Sequence, residues 1–351
     1  MPEQVGSEQV GSEQVGSEQV GSEQVSEDFL GPNDPYRGEL LAHCYRMLGS
    51  VHDAEDLVQE TYLRAWKSYD NFEGRSSLRT WLYRIATNCC LTALESRSKR
   101  PLPTGLGHPS SDPLGELVQQ PEVPWLEPVP DAMVVGELND PASIVTSRES
   151  IRLAFIAALQ HLPPRQRAVL ILRDVLKWRA AEVAELLDTS TAAVNSILQR
   201  ARAQLERLAP TEDDVVEPTT PDQRELLEKY VAAFENYDVA AMVELFTKDV
   251  VWEMPPFTGW YQGAENIGRL ISTQCPASGP GDMLMVPTVA NGQPAFGLYM
   301  RGEDGTHRAF QLQVLTMTTS GVAHVGCFFD LSLFPTFGLP ETQPAPQPLP
   351  S

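Results

Sequence analysis

No apolar run in this chain approaches the roughly 20 residues of a membrane-spanning helix, and the N-terminus has no basic-then-apolar leader. The expectation is a cytoplasmic protein without membrane contact. Cysteine is sparse: Cys44, Cys89, Cys90, Cys275 and Cys327 are scattered or adjacent, and none forms a CxxC pair. That spacing argues against a disulfide framework or a metal site and for reduced, mostly buried thiols. Positive charge is also short. Lys and Arg number 26 against 47 Asp and Glu, a net charge of −21, which excludes a basic protein that coats nucleic acid. Apolar residues, at 42%, suffice for packed cores, and 351 residues imply two or three domains.

The charge is unevenly divided. It is −8 over residues 1–35, +2 over 36–100, −7 over 101–149, +4 over 150–208 and −12 over 209–351. Basic character is confined to two segments with acidic flanks, the pattern of a nucleic-acid binder with acidic accessories. Residues 6–25 are four copies of GSEQV after a partial copy. A five-residue period fits neither a solenoid nor a heptad, and one Val per unit buries too little surface to offset ordering entropy. Residues 1–35 therefore read as a disordered tail.

The stretch WRAAEVAELLDTSTAAVNSILQRARAQLERL, residues 178–208, reads as two short helices joined by a polar turn. Val183, Leu186 and Leu187 stripe the first helix; Val194, Ile197, Leu198, Ala201, Leu205 and Leu208 stripe the second. Asp188, Thr189, Ser190 and Thr191 offer a choice of caps. A helix-turn-helix is built this way, with Asn195, Ser196 and Gln199 facing base edges and Arg200 and Arg202 facing phosphates. An ordinary helical hairpin is the plainer alternative.

Upstream, in HDAEDLVQETYLRAW, the residues Ala54, Leu57, Val58, Thr61, Tyr62, Ala65 and Trp66 form a continuous apolar stripe. Asp53, Glu55 and Asp56 crowd the first turn, where they complement the helix dipole and suit a basic partner. After a break at residues 71–74 the stripe resumes as Leu78, Trp81, Leu82, Ile85 and Cys89. Arg75, Arg79 and Arg84 are interleaved with Phe72, Trp81 and Tyr83, a mixture suited to unpaired bases, although Trp81 by itself reads as core.

DAEDLVQETYLRAW followed by EGRSSLRTWLYRIATN resembles domain two of bacterial RNA polymerase sigma factors of the extracytoplasmic-function (ECF) type. LPPRQRAVLILRDVLKWRAAEVAELLDTSTAAVNSILQRARAQL resembles their domain four. The resemblance implies docking on the clamp helices of the polymerase largest subunit through Asp53, Glu55, Asp56, Leu57, Val58, Gln59 and Glu60. It implies −10 recognition by Phe72, Arg75, Ser76, Ser77, Arg79, Trp81, Arg84 and Asn88. It implies −35 recognition by Arg179, Thr191, Ala193, Asn195, Ser196, Gln199, Arg200 and Arg202. Many relatives carry Lys and Arg where this chain has Asn195 and Ile197, which weakens the phosphate term.

Residues 101–149, rich in Pro and acidic side chains, are expected to be extended and irregular. In the sigma family such a linker runs through the active-site cleft towards the RNA exit channel; an inert tether is the alternative. Residues 209–220 read as a hinge. From 221 to 339, an amphipathic helix on Leu226, Leu227, Tyr230 and Phe234 precedes a shorter helix, a strand at 250–254 and a run of strands with Asn-Gly and Ser-Gly turns. This α+β order resembles the SnoaL-like cone of the ketosteroid-isomerase superfamily, which in an ECF subgroup acts as a regulator in cis. Residues 340–351 read as a disordered tail. The expected fold is thus two all-α sigma domains, 36–100 and 150–208, followed by a SnoaL-like domain.

General bases in the cone would come from Asp249, Glu253, His307, His324 and Asp330, with Asp249 in a turn and Glu253 at the pocket mouth. No second motif accompanies them, so no catalytic residue, metal or cofactor is assigned. The partners expected are core RNA polymerase and promoter DNA; a small ligand and an anti-sigma factor stay open. A stand-alone helix-turn-helix regulator that senses a ligand is the rival reading, and a bifunctional protein with a catalytic cone is another.

Overall fold

The computed structural model describes residues 34–69, 72, 74, 76–96, 99–134, 149–207 and 220–344. The GSEQV repeats, residues 209–219 of the expected hinge, and residues 345–351 lie outside them.

The first helical unit contains α1 (Arg37–Leu48), α2 (Val51–Ser68) and α3 (Leu78–Glu95). α1 stops at Gly49, whose left-handed backbone (φ 72°) turns the chain and lets Ser50 cap α2 by accepting from the Asp53 N–H. α2 buries Val51, Ala54, Val58, Thr61, Tyr62 and Ala65; α3 buries Leu82, Tyr83, Ala86, Thr87, Cys89 and Cys90. Residues 99–134 contribute one 3-10 turn, Pro103–Leu106, and the single turn α4 (Asp131–Val134), and are otherwise irregular, as the prolines require.

The second helical unit has α5 (Leu153–Gln160), α6 (Pro164–Leu170), α7 (Ala180–Leu186) and α8 (Thr191–Leu205). The C-terminal unit opens with α9 (Pro221–Glu235), started by a Thr220–Gln223 capping box with Pro221 in the first turn, and α10 (Val239–Leu245). Then follow β1 (Phe246–Glu253), β2 (Trp260–Gln262), α11 (Ala264–Gln274), β3 (Met283–Ala290), β4 (Gln293–Arg301), β5 (His307–Thr318), β6 (Gly321–Phe328), α12 (Leu333–Thr336) and β7 (Thr342–Gln343). The sheet order is β2-β1-β6-β5-β4-β3, antiparallel except for β1 against β6, with β7 on β5. This is the expected α+β domain. The first strand starts earlier than the sequence suggested, so Asp249 sits inside β1 and not in a turn. The expected C-terminal tail is corrected in part: Thr342 and Gln343 pair with Arg308 and His307.

Strand alternation sorts the sheet into two faces. Trp252, Phe296, Leu298, Leu315, Val325 and Cys327 face a cone closed by Tyr230 and Phe234. Ala295, Tyr299, Leu312, Val314 and Phe328 face the other way and share one apolar cluster with both helical units and the linker residues Leu126 and Val129. The cysteines are free thiols, four of them buried and Cys275 half-buried.

Candidate nucleic-acid interface and the closed junction

In the helix-turn-helix, Asp188 takes a left-handed conformation (φ 49°) and Ser190 wins the capping position, its Oγ accepting from the Ala193 N–H at 3.1 Å. Val194, Leu198 and Ala201 turn inward, and Ile197 and Leu205 are half-buried. Leu208 lies outside the described residues. Thr191, Asn195, Ser196, Gln199, Arg200 and Arg202 are exposed together, and Ala193 is half-buried among them. The two arginines differ. Arg202 is held in a fork by Asp174, at 2.6 and 2.8 Å, whereas Arg200 has no hydrogen-bond or ion-pair partner among the described residues. Arg179 sits outside the pair, bound to Glu182 at 2.7 Å.

On α2, Asp56 and Gln59 are exposed, Glu55 pairs with Arg37 at 3.5 Å, and Glu60 pairs with Arg64 at 2.6 Å. Two corrections apply to this helix. Val58 is fully buried against the core and offers nothing to a partner, and Leu57 is half-buried beside it. Trp66, placed on the inward stripe by its spacing, is 61% exposed, with Leu63 52% exposed one turn earlier. Among the described residues no neighbour covers that edge of α2, so Asp56, Gln59, Leu63 and Trp66 form one mixed face that charge counting missed.

Arg75 of the −10 set lies outside the described residues. Phe72 packs on Trp81 with ring centroids 4.8 Å apart, both half-buried, so part of each ring is taken up by packing. Ser76, Ser77 and Asn88 are exposed, and Ser77 caps α3. Arg79 is bound to Glu39 at 2.6 Å and lies over the Tyr83 ring. Arg84 reaches the second unit: its Nη2 donates to the Glu185 carbonyl of α7 at 3.0 Å.

That contact is one of several that clamp the units together. Tyr83 meets Trp178 edge-on at 5.6 Å, and Arg46 donates to the Ser150 carbonyl and hydroxyl at 3.2 and 2.8 Å. Burial without a carboxylate pulls the Arg46 guanidinium down to about 10. The linker is fixed at the same junction. Glu127 donates its N–H to the Gly49 carbonyl (2.9 Å), and its carboxylate accepts from the Ser50 hydroxyl (2.8 Å) at the start of α2. His52 lies 3.0 Å from that carboxylate, which raises the imidazole above its usual value, and Arg100 bridges Glu127 and Asp53. Residues 101–134 of the expected linker are therefore neither a free tether nor an open strand: they are packed against α2 and the C-terminal sheet, while residues 135–148 lie outside the described residues.

The C-terminal unit enters through a hairpin tip. Asn291 and Gly292, both at positive φ (56° and 68°), form the two-residue loop between β3 and β4 that the Asn-Gly pair predicts. Such tips are ordinarily solvated, yet Asn291 is fully buried. Its Nδ2 donates to the Tyr45 hydroxyl (2.8 Å) and the Ile151 carbonyl (2.6 Å), and its Oδ1 accepts from the Val129 N–H (2.9 Å). One side chain thus joins the first unit, the linker and the approach to the second unit. Asp131 accepts from the Gly292 N–H at 2.7 Å, and Gln293 accepts from the Leu153 N–H at 3.2 Å.

The cone does not gather its candidate bases. Asp249 and Asp330 are exposed, and His307 is 3.0 Å from the Gly281 carbonyl. Glu253 and His324 do meet, at 2.7 Å, but strand alternation puts them on the face opposite the cone interior, away from the expected pocket mouth. There Glu253 accepts from the Thr104 N–H at 2.8 Å, which pins the linker. Inside the cone, the Tyr230 hydroxyl donates to Gln313 at 2.9 Å among packed aromatic rings. Among the described residues, no helix is long and apolar enough to cross a membrane.

Residues 34–100 match Sigma-70 region 2, residues 152–205 match Sigma-70 region 4, and residues 227–321 match the SnoaL-like domain. The chain is 62% identical over 316 residues to the ECF RNA polymerase sigma factor SigG of Mycobacterium tuberculosis, covering 90% of this chain and 85% of that protein. It is 30% identical over 255 residues to SigJ of the same organism, covering 70% and 72%. The crystal structure of that SigJ superposes with a TM-score of 0.57 at 26% identity, covering 87% of this chain and 97% of the other. The chain therefore belongs to the extracytoplasmic-function sigma factors of RNA polymerase, with a SnoaL-like domain following region 4.

Proposed function

We propose that this sigma factor docks on core RNA polymerase through the exposed face of α2, reads −10 and −35 elements with its two helical units, and is regulated in cis by the SnoaL-like domain. Asp56, Gln59, Leu63 and Trp66 carry the docking face, flanked by Glu55, Leu57 and Glu60; Asp53 joins it when Arg100 releases it. Phe72, Ser76, Ser77 and Asn88, with Arg75 in the same loop by sequence, serve the −10 element, and Trp81 and Arg79 hold that surface in place. Arg84 joins it once it leaves α7. The α8 face from Thr191 to Arg200 serves the −35 element. The SnoaL-like domain receives no catalytic step, since its candidate bases do not converge.

The observation that carries the regulatory part is the burial of Asn291 at the junction of both units and the linker. The test is in vitro transcription with purified chain, core polymerase and a fragmented host genome, followed by mapping of starts. Discrete starts sharing two motifs are expected, with output changing several-fold when residues 210–351 are deleted. Equal output from both chains sinks the regulatory role. Absence of chain-dependent starts from either sinks the surface assignments.

A further inference from the structure

The junction encloses a crevice of about 330 Å³. It is lined by Pro124, Trp125 and Glu127 of the linker, by Pro256, Phe329 and Asp330 of the SnoaL-like domain, and by Arg100. Small-molecule sites favour such domain boundaries and apolar, aromatic walls. The volume is about twice the ~150 Å³ cavity that admits one benzene ring, so a fused two-ring system fits.

The charges select among such molecules. Arg100 is already engaged by Asp53, by Glu127 at 3.7 Å and by the Trp125 carbonyl at 2.9 Å. Glu127 is taken up by Ser50 and His52. Asp330 is different: it is exposed, its Oδ1 accepts from the Ser332 N–H at 3.0 Å and the Ser332 hydroxyl at 2.6 Å, and its Oδ2 has no hydrogen-bond or ion-pair partner among the described residues. The rim carboxylate oxygen without a hydrogen bond or ion pair is therefore negative, with the His52 ring in longer electrostatic reach; it adjoins Phe329, and ring faces attract cations.

We propose that this crevice binds a bicyclic aromatic amine, its rings between Trp125 and the prolines and its ammonium against Asp330. The linker, the SnoaL-like domain and Arg100 line it together only while the junction is closed, so the ligand binds that arrangement preferentially and shifts the population towards it. The site stands independently of cis regulation; its effect on initiation rests on that reading.

Tryptamine, tryptophol and indole-3-acetate form a matched cationic, neutral and anionic series for calorimetry on the full chain. Tryptamine is expected to bind saturably at one site, about tenfold more tightly than tryptophol, from one exposed ion pair plus a cation–ring contact. Indole-3-acetate is expected to bind weakest. Asp330→Asn keeps the acceptor for Ser332 and should bring tryptamine down to the affinity of tryptophol, whereas Trp125→Ala should weaken all three alike. No saturable binding, or equal affinities across the series, overturns the site. Saturating tryptamine should also lower initiation by polymerase on promoters carrying both elements; unchanged initiation beside Asp330-dependent binding overturns the coupling and leaves the site.

Discussion

Replacing Asn291 with glycine is expected to unlock the junction while leaving the hairpin that carries it intact. The two-residue loop needs positive φ at both positions, which glycine adopts freely, so the turn survives. What is lost is three hydrogen bonds, of 2.8, 2.6 and 2.9 Å. Each is worth about 1 kcal/mol net, and the Ile151 carbonyl and Val129 N–H left without that partner add a desolvation cost of similar size. The closed arrangement therefore loses about 3 kcal/mol or more against the open one, in which these groups meet water. That is roughly a hundredfold in the closed-to-open ratio. Asn291→Ala loses the same bonds and adds left-handed strain of about 1–2 kcal/mol, but the strain is present in both arrangements and cancels between them. The alanine variant should thus melt lower yet open no further than the glycine variant. Hydrogen exchange at the Val129 amide reports the junction directly, and transcription reports its consequence. Wild-type protection at Val129 together with wild-type output in a folded Asn291→Gly chain would refute this account.

Trp66→Glu and Leu63→Glu should each cut core-polymerase capture by more than tenfold while shifting stability by no more than ~0.5 kcal/mol, since both side chains are exposed; pull-down and thermal melts separate the two effects. Gln199→Ala should alter −35 preference, and Arg200→Ala should reduce the salt slope of promoter binding by about 0.9 at all sequences. Arg202→Ala should lower the slope less, because its guanidinium is committed to Asp174; equal slopes for both variants would contradict that assignment. His52 is raised by the Glu127 carboxylate from its ordinary 6.5. Its contribution to the junction is complete below 6.5 and is lost as pH rises through the raised value, so closure should weaken on the alkaline side of that window. Glu127, Asp330, Glu55, Asp53 and Arg100 surround it, and His52→Gln should flatten the dependence if His52 is its source.

Much of this architecture was legible in the sequence because it is local. The 3.6-residue stripe, the capping choices at residues 188–191 and the Asn-Gly turn each state their geometry within a few positions. What was illegible depends on partners far along the chain. The apolar residues of α2 span two adjoining edges, and periodicity cannot say which edge receives a neighbour; α1 and α3 cover Val58 and Tyr62, and no described residue covers Trp66. The proline-rich linker declares itself irregular but not bound, since its backbone groups are satisfied by Gly49, Asn291 and Glu253, outside its own stretch. Asn291 reads as a surface turn by every local rule. Its burial is a property of the whole chain.

The closed junction leaves the recognition face of α8 and the outer edge of α2 exposed, so the cis regulation proposed above is expected to act on spacing and not by masking. Elements centred near −10 and −35 are about 25 base pairs apart, or roughly 85 Å along duplex DNA at ~3.4 Å per pair. Two helical units of this size packed together have a radius of gyration of only about 14 Å. The helix that carries the −10 residues is already within 3.0 Å of the helix-turn-helix, through Arg84 and Glu185. Such a body can touch one element at a time. The full-length chain alone should therefore bind a −35 duplex as tightly as Asn291→Gly does, while only the variant gains on a promoter carrying both elements with polymerase present. If Asn291→Gly instead gains equally on the isolated −35 duplex, α8 is masked in the closed chain and spacing is not what the SnoaL-like domain controls.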